Sequence, residues 1–184
     1  YITILESGSN RLKHLIEDLF EVSKASTGNI QLDRMDVDLI SLIKQVEMEY
    51  EALFIQHDLT IRNTFSKEKI VLSLDPQKTF RILENLLVNA GKYALEHTRV
   101  YVYVEEREQE VYISVKNISA TELDFDPADI MERFQRGDKA RNTEGSGLGL
   151  AIAKSFTVLQ NGHMHISFDA DLFKVELIFQ KELP

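Results

Sequence analysis

Two pairs of neighbouring strand-like segments constrain the fold of this chain more than any other feature. Apolar and polar residues alternate in each segment, which is typical of half-buried strands joined as β-hairpins. The first pair is residues 100–105 with 111–117, and the second is residues 163–168 with 173–179. Further strand-like segments lie near residues 30–32, 59–63 and 70–74. Helical patterns separate these from the hairpins, so the order predicts an α+β fold: a two-layer α/β sandwich in which a mixed sheet carries helices on one face.

Three helices are expected within this body. Asp38 and Asp75 each precede an apolar helical pattern and can cap its first turn, and Pro76 suits the first helical position. The expected helices cover residues 39–56, 76–94 and 146–159.

Composition narrows the possible functions. The chain has 184 residues, 43% of them apolar, a net charge of −9 and no cysteine. Disulfides, thiolate catalysis and Cys-ligated metals are therefore excluded. The negative charge disfavours binding to nucleic acid or to an anionic membrane surface, and no stretch reaches the roughly 20 apolar residues of a membrane helix. We expect no nucleic-acid partner and no membrane contact by this segment.

The first segment reads as one long helix of a bundle. Leu5, Leu12 and Leu19 are seven residues apart, and Leu15 and Val22 continue the same stripe. Such a heptad pattern favours a coiled-coil or bundle partner, although a surface helix packed on its own domain is the alternative. Because the chain begins at Tyr1 within this pattern, we expect it to be part of a longer protein whose preceding helix completes a dimerisation hairpin.

The helix that begins at Asp75-Pro76 carries an unusual polar stripe. Asn85, Asn89 and Lys92 follow at helical spacing on one face of an otherwise apolar helix. Asn is a poor helix former, so two Asn residues on one helical face suggest that their side-chain amides have a functional role. An Asn oxygen suits Mg²⁺, and Lys can reach phosphate oxygens. An ordinary exposed polar face is the alternative.

A glycine-rich turn and a long polar stretch add a second candidate feature. Residues 145–150 read Gly-Ser-Gly-Leu-Gly-Leu and open a helix, where backbone N–H groups can approach phosphate. The spacing matches neither the dinucleotide fingerprint nor the Walker loop. Residues 119–144 are too long for a simple connection and contain four cations, which suits a lid over a polyphosphate; a mobile charged loop is the alternative.

Together these segments resemble a known family, the sensor histidine kinases of bacterial two-component systems. Residues 85–93 (Asn-Leu-Leu-Val-Asn-Ala-Gly-Lys-Tyr) look like the family's N box, residues 132–138 like its F box, and residues 145–154 like its second glycine box. By this resemblance residues 28–184 form the catalytic ATP-binding domain with a Bergerat-type fold and a lid at 119–144. Residues 1–27 then form the second helix of the dimerisation and phosphotransfer hairpin.

The resemblance also implies roles for particular residues. Asn89 would coordinate the Mg²⁺ that bridges the ATP phosphates, with Asn85 beside it. Lys92 and Arg136 would meet phosphate oxygens, and Tyr93 would flank the nucleotide. The implied ATP-binding set is completed by the glycine turn, Gly145, Ser146, Gly147, Leu148 and Gly149, and by Asn117.

One motif departs from the family pattern. The first glycine box usually reads Asp-x-Gly-x-Gly and binds the adenine amino group through its Asp. Here the aligned residues are Asn117, Ser119 and Thr121. The Asn117 oxygen can still accept a hydrogen bond, but the hinge loses the backbone freedom of glycine. We expect ATP binding to survive; an ATP-incompetent pseudokinase or interaction module is the alternative.

The histidines do not match the family's phosphoacceptor, which is followed by an acidic residue and soon by Pro. None of the five histidines, His14, His57, His97, His163 and His165, has that context. The expected reaction is therefore transfer of the ATP γ-phosphoryl group to a His on a helix outside this chain, then relay to an Asp on a response-regulator receiver domain. We expect the whole protein to be a homodimer, with this domain cytoplasmic and an anchor in the bacterial membrane elsewhere. A non-kinase ATPase of the same superfamily is a rival, but such ATPases carry a water-activating Glu where this chain has Asn85.

Overall fold

The computed structural model describes residues 31–123 and 148–181. In chain order the elements are β1 (Met35–Asp38), α1 (Leu39–Glu49), α2 (Glu51–Gln56), β2 (Thr60–Phe65), β3 (Val71–Leu74), α3 (Pro76–Tyr93), β4 (Arg99–Glu106), β5 (Glu110–Ile118), α4 (Gly149–Leu159), β6 (Gly162–Asp169) and β7 (Leu172–Gln180). The predicted bundle helix at residues 1–27 and residues 124–144 of the predicted lid lie outside the described residues.

Five strands form the main sheet in the order β2-β4-β5-β7-β6. Both predicted hairpins are confirmed, since β4 pairs antiparallel with β5 and β6 pairs antiparallel with β7. The strand pair β5–β7 is also antiparallel, whereas β2 lies parallel to β4. The sheet is therefore mixed, as predicted, and its parallel pair is the one whose connection contains α3. Separately, β1 and β3 form a small antiparallel pair.

One face of the main sheet is buried against the helices. Along β4 the side chains of Val100, Val102 and Val104 are buried, while the residues between them are partly or fully exposed. The buried residues of β5 and β7 join the same core as the apolar faces of α1, α3 and α4. This alternation is the period-2 pattern of a sheet covered on one side, and it confirms the two-layer arrangement.

The helix α3 forms as its first residues predict. The Asp75 side chain accepts a hydrogen bond from the Lys78 backbone N–H at 3.0 Å, and Pro76 occupies the first helical position. The helix ends at Tyr93, where Ala94 returns to an extended conformation and donates its backbone N–H to Ala90. The polar stripe thus lies on one regular helix of 18 residues.

Two predicted elements differ from the structure. Residues 31–34 contain no strand; the strand that precedes Asp38 begins at Met35, because Met35–Asp38 finds a partner in β3. The helix predicted at 39–56 is divided at Tyr50, whose ψ of 14° lies outside the helical range. Tyr50 donates its hydroxyl to Glu84 on α3, so a tertiary contact is made at the residue that divides α1 from α2.

Candidate functional site

The polar stripe of α3 faces outward from the core. Asn85, Asn89 and Lys92 are partly exposed, whereas Leu86 and Ala90 are buried. The structure therefore brings the two predicted amides and the predicted cation to one partly open face. An α-helix rises about 1.5 Å per residue, so the stripe from Asn85 to Lys92 extends for about 10 Å along the helix axis.

The beginning of α4 lies directly against this stripe. A β-carbon built on Gly149 would lie 2.8 Å from Asn85 Oδ1, closer than real contacts allow. The Asn85 amide is itself held in place, because its Nδ2 donates to the Arg81 carbonyl at 2.8 Å. Only glycine permits α4 to start this close to Asn85. The predicted N box and the predicted glycine box are thus neighbours in space, and the positive end of the α4 dipole faces the polar stripe.

Backbone hydrogen bonds connect the other end of the stripe to the end of β5. Leu95 donates its backbone N–H to Ile118 at 2.8 Å, and Ala120 donates to Tyr93 at 2.9 Å. Ala94 and Ser119 also form an isolated antiparallel bridge. These bonds hold Tyr93 beside the first residues of the segment predicted to be the lid.

Asn117 lies in this second region, on the helix-facing side of β5, and its side chain is almost fully buried. Its Nδ2 donates to the Ile118 carbonyl at 3.2 Å. Because a carbonyl can only accept, this bond fixes the orientation of the amide and leaves Oδ1 as the acceptor that can meet a ligand. The geometry suits the acceptor role that the resemblance implied for Asn117.

A third contact, which the sequence did not predict, holds the neighbour of Asn85. Glu84 accepts from the Tyr50 hydroxyl through Oε1 and pairs with Arg81 Nη1 at 2.7 Å through Oε2. Burial raises the pKa of Tyr50, and the Glu84 carboxylate raises it further. Both oxygens of Glu84 are therefore engaged by protein groups, although the residue adjoins the predicted site.

Gly91 is another residue whose role the sequence did not predict. A β-carbon there would lie 2.7 Å from Leu53 Cδ2 and 3.4 Å from the Phe54 ring. The glycine allows α2 to pack closely against α3 near Lys92. Its only sequence signal is a glycine inside a helix, where it costs about 1 kcal/mol relative to Ala and so suggests a packing reason.

Several predicted site residues cannot be placed against this geometry. Arg136, Gly145, Ser146 and Gly147 lie outside the described residues. Within residues 31–123 and 148–181, no group of three or more His, Asp or Glu side chains is arranged to hold a metal ion. The Asn side chains of the stripe offer single amide oxygens. Such an oxygen fits Mg²⁺ when the other ligands come from a nucleotide's phosphates and from water.

The fold and this site define a class of protein: an α/β sandwich in which an Asn-bearing helix lies against the start of a second helix at Gly149. Residues 74–181, more than half of the chain, match the family described as histidine kinase-, DNA gyrase B-, and HSP90-like ATPases. The chain belongs to this family.

Within this family, the chain is similar to several sensor histidine kinases. The chain is 30% identical to the sensor histidine kinase WalK of Bacillus subtilis over 166 residues, which are 88% of this chain and 27% of that protein. It is similar in structure to ShkA, solved in full length in complex with AMPPNP, with a TM-score of 0.81 and 21% identity over 100% of this chain and 39% of that one. The histidine kinase ThkA, in complex with the response regulator protein TrrA, gives a TM-score of 0.73 and 18% identity over 99% of this chain and 51% of that one. The chain thus corresponds to the ATP-binding catalytic domain of sensor histidine kinases.

No helix among the described residues is long and apolar enough to cross a membrane.

Proposed function

We propose that this chain is the phosphoryl-donating domain of a sensor histidine kinase, which transfers the ATP γ-phosphoryl group to a His on a dimerisation helix. The observation that carries the proposal is the contact between Asn85 and Gly149. It joins two motifs that the sequence predicts to bind phosphate, and the other end of the Asn-bearing helix adjoins Asn117. Relay from the phosphohistidine to a response-regulator Asp belongs to the same proposal, and the ThkA–TrrA complex supports it by similarity.

Each end of the stripe suits a different part of ATP. Asn117 offers a buried, oriented oxygen that can accept from the adenine amino group, and Tyr93 lies beside that region. Asn85, Asn89 and the beginning of α4 offer the polar groups and the helix dipole that suit phosphates. Mg²⁺ bound with the nucleotide would neutralise charge on the transferring group, and Asn89 and Lys92 would hold and orient the phosphates. Phosphoryl transfer requires little more from the protein than such positioning and charge stabilisation.

Two of the described histidines pair with carboxylates, and none of the four has the sequence context of the family's phosphoacceptor, which supports an acceptor elsewhere. His57 Nδ1 lies 3.2 Å from Glu96, and His97 Nδ1 lies 2.6 Å from Asp58. These pairs connect two neighbouring turns. His163 and His165 are two residues apart on one face of β6, a strand at the edge of the sheet, and both are exposed. His14 lies outside the described residues.

A hydrolytic ATPase is supported less well. Such an enzyme needs a carboxylate free to activate water. Glu84 adjoins Asn85 in the chain, and both of its oxygens are engaged by Tyr50 and Arg81. Homodimerisation, cytoplasmic location and membrane anchoring of the whole protein stay predictions.

The first experiment is a titration of a fluorescent ATP analogue with and without Mg²⁺. It compares the unaltered chain with Asn89→Ala and with the control Asn63→Ala. Asn63 lies on β2, outside the stripe, and its amide donates a 2.9 Å hydrogen bond to Glu47. We expect Mg²⁺-dependent binding that falls about tenfold or more in Asn89→Ala and is unchanged in the control. No binding by the unaltered chain at millimolar nucleotide would instead indicate a pseudokinase or interaction module.

A further inference from the structure

The helices α3 and α4 meet a second time, at the ends remote from the candidate site. Gln160, which follows the last residue of α4, accepts the Asp75 backbone N–H through Oε1 at 2.7 Å. Thr79 donates its hydroxyl to the Asp75 carbonyl at 2.7 Å and lies 3.4 Å from the Gln160 Nε2. All three residues are buried, with Gln160 only 3% exposed. We call this group, Asp75, Thr79 and Gln160, the polar joint.

The chemistry of the polar joint requires an amide at position 160. The Asp75 N–H can only donate, so it must face the Gln160 oxygen, and the Thr79 hydroxyl proton is directed to the Asp75 carbonyl. Thr79 Oγ1 lies 3.4 Å from both Gln160 Oε1 and Gln160 Nε2, and with its own proton directed to Asp75 it can accept from Nε2. A leucine would leave the buried Asp75 N–H without its partner, and a glutamate would place a second carboxylate beside Asp75.

The Asp75 carboxylate fastens a further segment to the joint. Its Oδ1 accepts from the Lys78 N–H at 3.0 Å, and its Oδ2 accepts from the Asp33 N–H at 3.1 Å. Both carboxylate oxygens are thus engaged with other backbone donors, while the Asp75 backbone N–H bonds to Gln160. The joint connects the start of α3, the end of α4 and the segment that precedes β1.

The two meeting points fix the position of α4 along α3. Ten residues of α3 separate Asp75 from Asn85, and eleven residues of α4 separate Gly149 from Gln160, so the helices run antiparallel over about 15–16 Å. Between these points Lys78 Nζ lies 4.9 Å from the centre of the Phe156 ring. A lengthwise shift of α4 would break the buried bond at Asp75 and would also move Gly149 relative to Asn85.

We propose that Gln160 is a positioning residue for nucleotide binding: through the polar joint it holds α4 in the register that sets the beginning of α4 against Asn85. This inference rests on the function proposed above. Gln160 itself lies a helix length away from the stripe, so its effect on the ligand must pass through α4. Buried hydrogen bonds suit this task because their loss is costly and depends steeply on position.

The test compares Gln160→Leu with a variant of similar stability loss in the sheet. Val115→Ala, in the buried face of β5, serves as this control once denaturation shows a comparable loss. Two quantities are measured in each: the Kd for ATP with Mg²⁺, and the NMR resonances of the Gly149 amide and the Asn85 side-chain amide without nucleotide. We expect Gln160→Leu to weaken binding about tenfold and to displace both resonances, and Val115→Ala to do neither.

A second pair of variants covers the case in which Gln160→Leu does not fold. Thr79→Ser keeps the hydroxyl of the joint, and Thr79→Val removes it at nearly equal volume. We expect Thr79→Val to weaken ATP binding and Thr79→Ser to retain it. Unchanged binding and unchanged resonances in Gln160→Leu or, if that variant is unfolded, in Thr79→Val would overturn the proposal. Failure of the unaltered chain to bind ATP would overturn the proposed function instead, while the Gly149 and Asn85 resonances would still report whether the joint sets the register.

Discussion

Asn85 Oδ1 lies 2.8 Å from the point that a β-carbon of residue 149 would occupy, so the N-box helix and the helix after the glycine turn are in direct contact. The third glycine of the predicted phosphate loop therefore has a packing role, distinct from the backbone role that the sequence predicts.

Gly149→Ala should weaken nucleotide binding. The added methyl group must displace Asn85, whose amide is bonded to the Arg81 carbonyl, or move the beginning of α4. Either change separates groups of the candidate site, and we expect about a tenfold loss of ATP affinity, measured by titration with the fluorescent analogue. Val158→Ala on the exposed side of the same helix is the control and should bind normally. Normal affinity in Gly149→Ala would show that the contact tolerates rearrangement and is not part of the site.

Gly91→Ala should destabilise the chain by about 1–2 kcal/mol, measured by urea denaturation, because the new methyl group would lie 2.7 Å from Leu53 Cδ2. The gain in helix propensity from Gly to Ala, about 1 kcal/mol, opposes this cost. The clash can be isolated by repeating the substitution in a Leu53→Ala background, where it should become neutral or stabilising. Equal costs in both backgrounds would mean that Leu53 does not limit the space.

Tyr50→Phe should cost about 1–3 kcal/mol, since it removes the hydroxyl that donates to the partly buried Glu84 carboxylate. The change leaves Glu84 with Arg81 as its remaining partner in this network. The comparison variant is Tyr101→Phe, whose ring is exposed on the outer face of β4 and whose substitution should change the unfolding free energy by less than about 0.5 kcal/mol. Equal effects of the two variants in chemical denaturation would argue against the network.

Glu47→Gln should stabilise the chain at neutral pH and not in acid. Burial raises the pKa of Glu47, although Asn63 donates to its Oε2 at 2.9 Å. The folded state therefore holds the proton more tightly than the unfolded state does. The stability that protonation provides is present below the unfolded pKa and is lost as the pH rises through the folded pKa.

The expected gain in Tm for Glu47→Gln is about 2–4 °C at pH 7 and none near pH 3, measured by thermal unfolding at both pH values. Glu49→Gln, exposed on the same helix, is the matched control and should show little change at either pH. A gain for Glu47→Gln that is the same at both pH values would exclude ionisation as the cause.

Much of the architecture follows from local patterns. The strand alternation that predicted both hairpins is set by neighbouring residues, and it appears in the structure with Val100, Val102 and Val104 buried. The cap at Asp75 and the helix that follows are also local properties. The break at Tyr50 was missed because the apolar pattern continues through it, and the hydrogen bond to Glu84 joins residues that are 34 positions apart.

The sequence predicted several residues of the candidate site but not the contacts that arrange them. Asn85, Asn89 and Lys92 share a face because helical spacing requires it, and the structure confirms that face as partly exposed. The sequence could not show that Gln160 closes a buried joint with Asp75, since a single Gln before a turn carries no pattern. The contact between Tyr50 and Glu84 was likewise missed, because it joins residues 34 positions apart, whereas Arg81 and Glu84 are a local pair on one helix.

The sequence by itself determined most of the strand and helix segments and which polar residues share a helical face, because these properties depend on spacings of two to seven residues. Tertiary structure alone decided that Gly149 lies against Asn85 and that Gln160 holds the far ends of two helices together. These contacts join residues that are distant in the chain, and their geometry exists only when the whole core has packed.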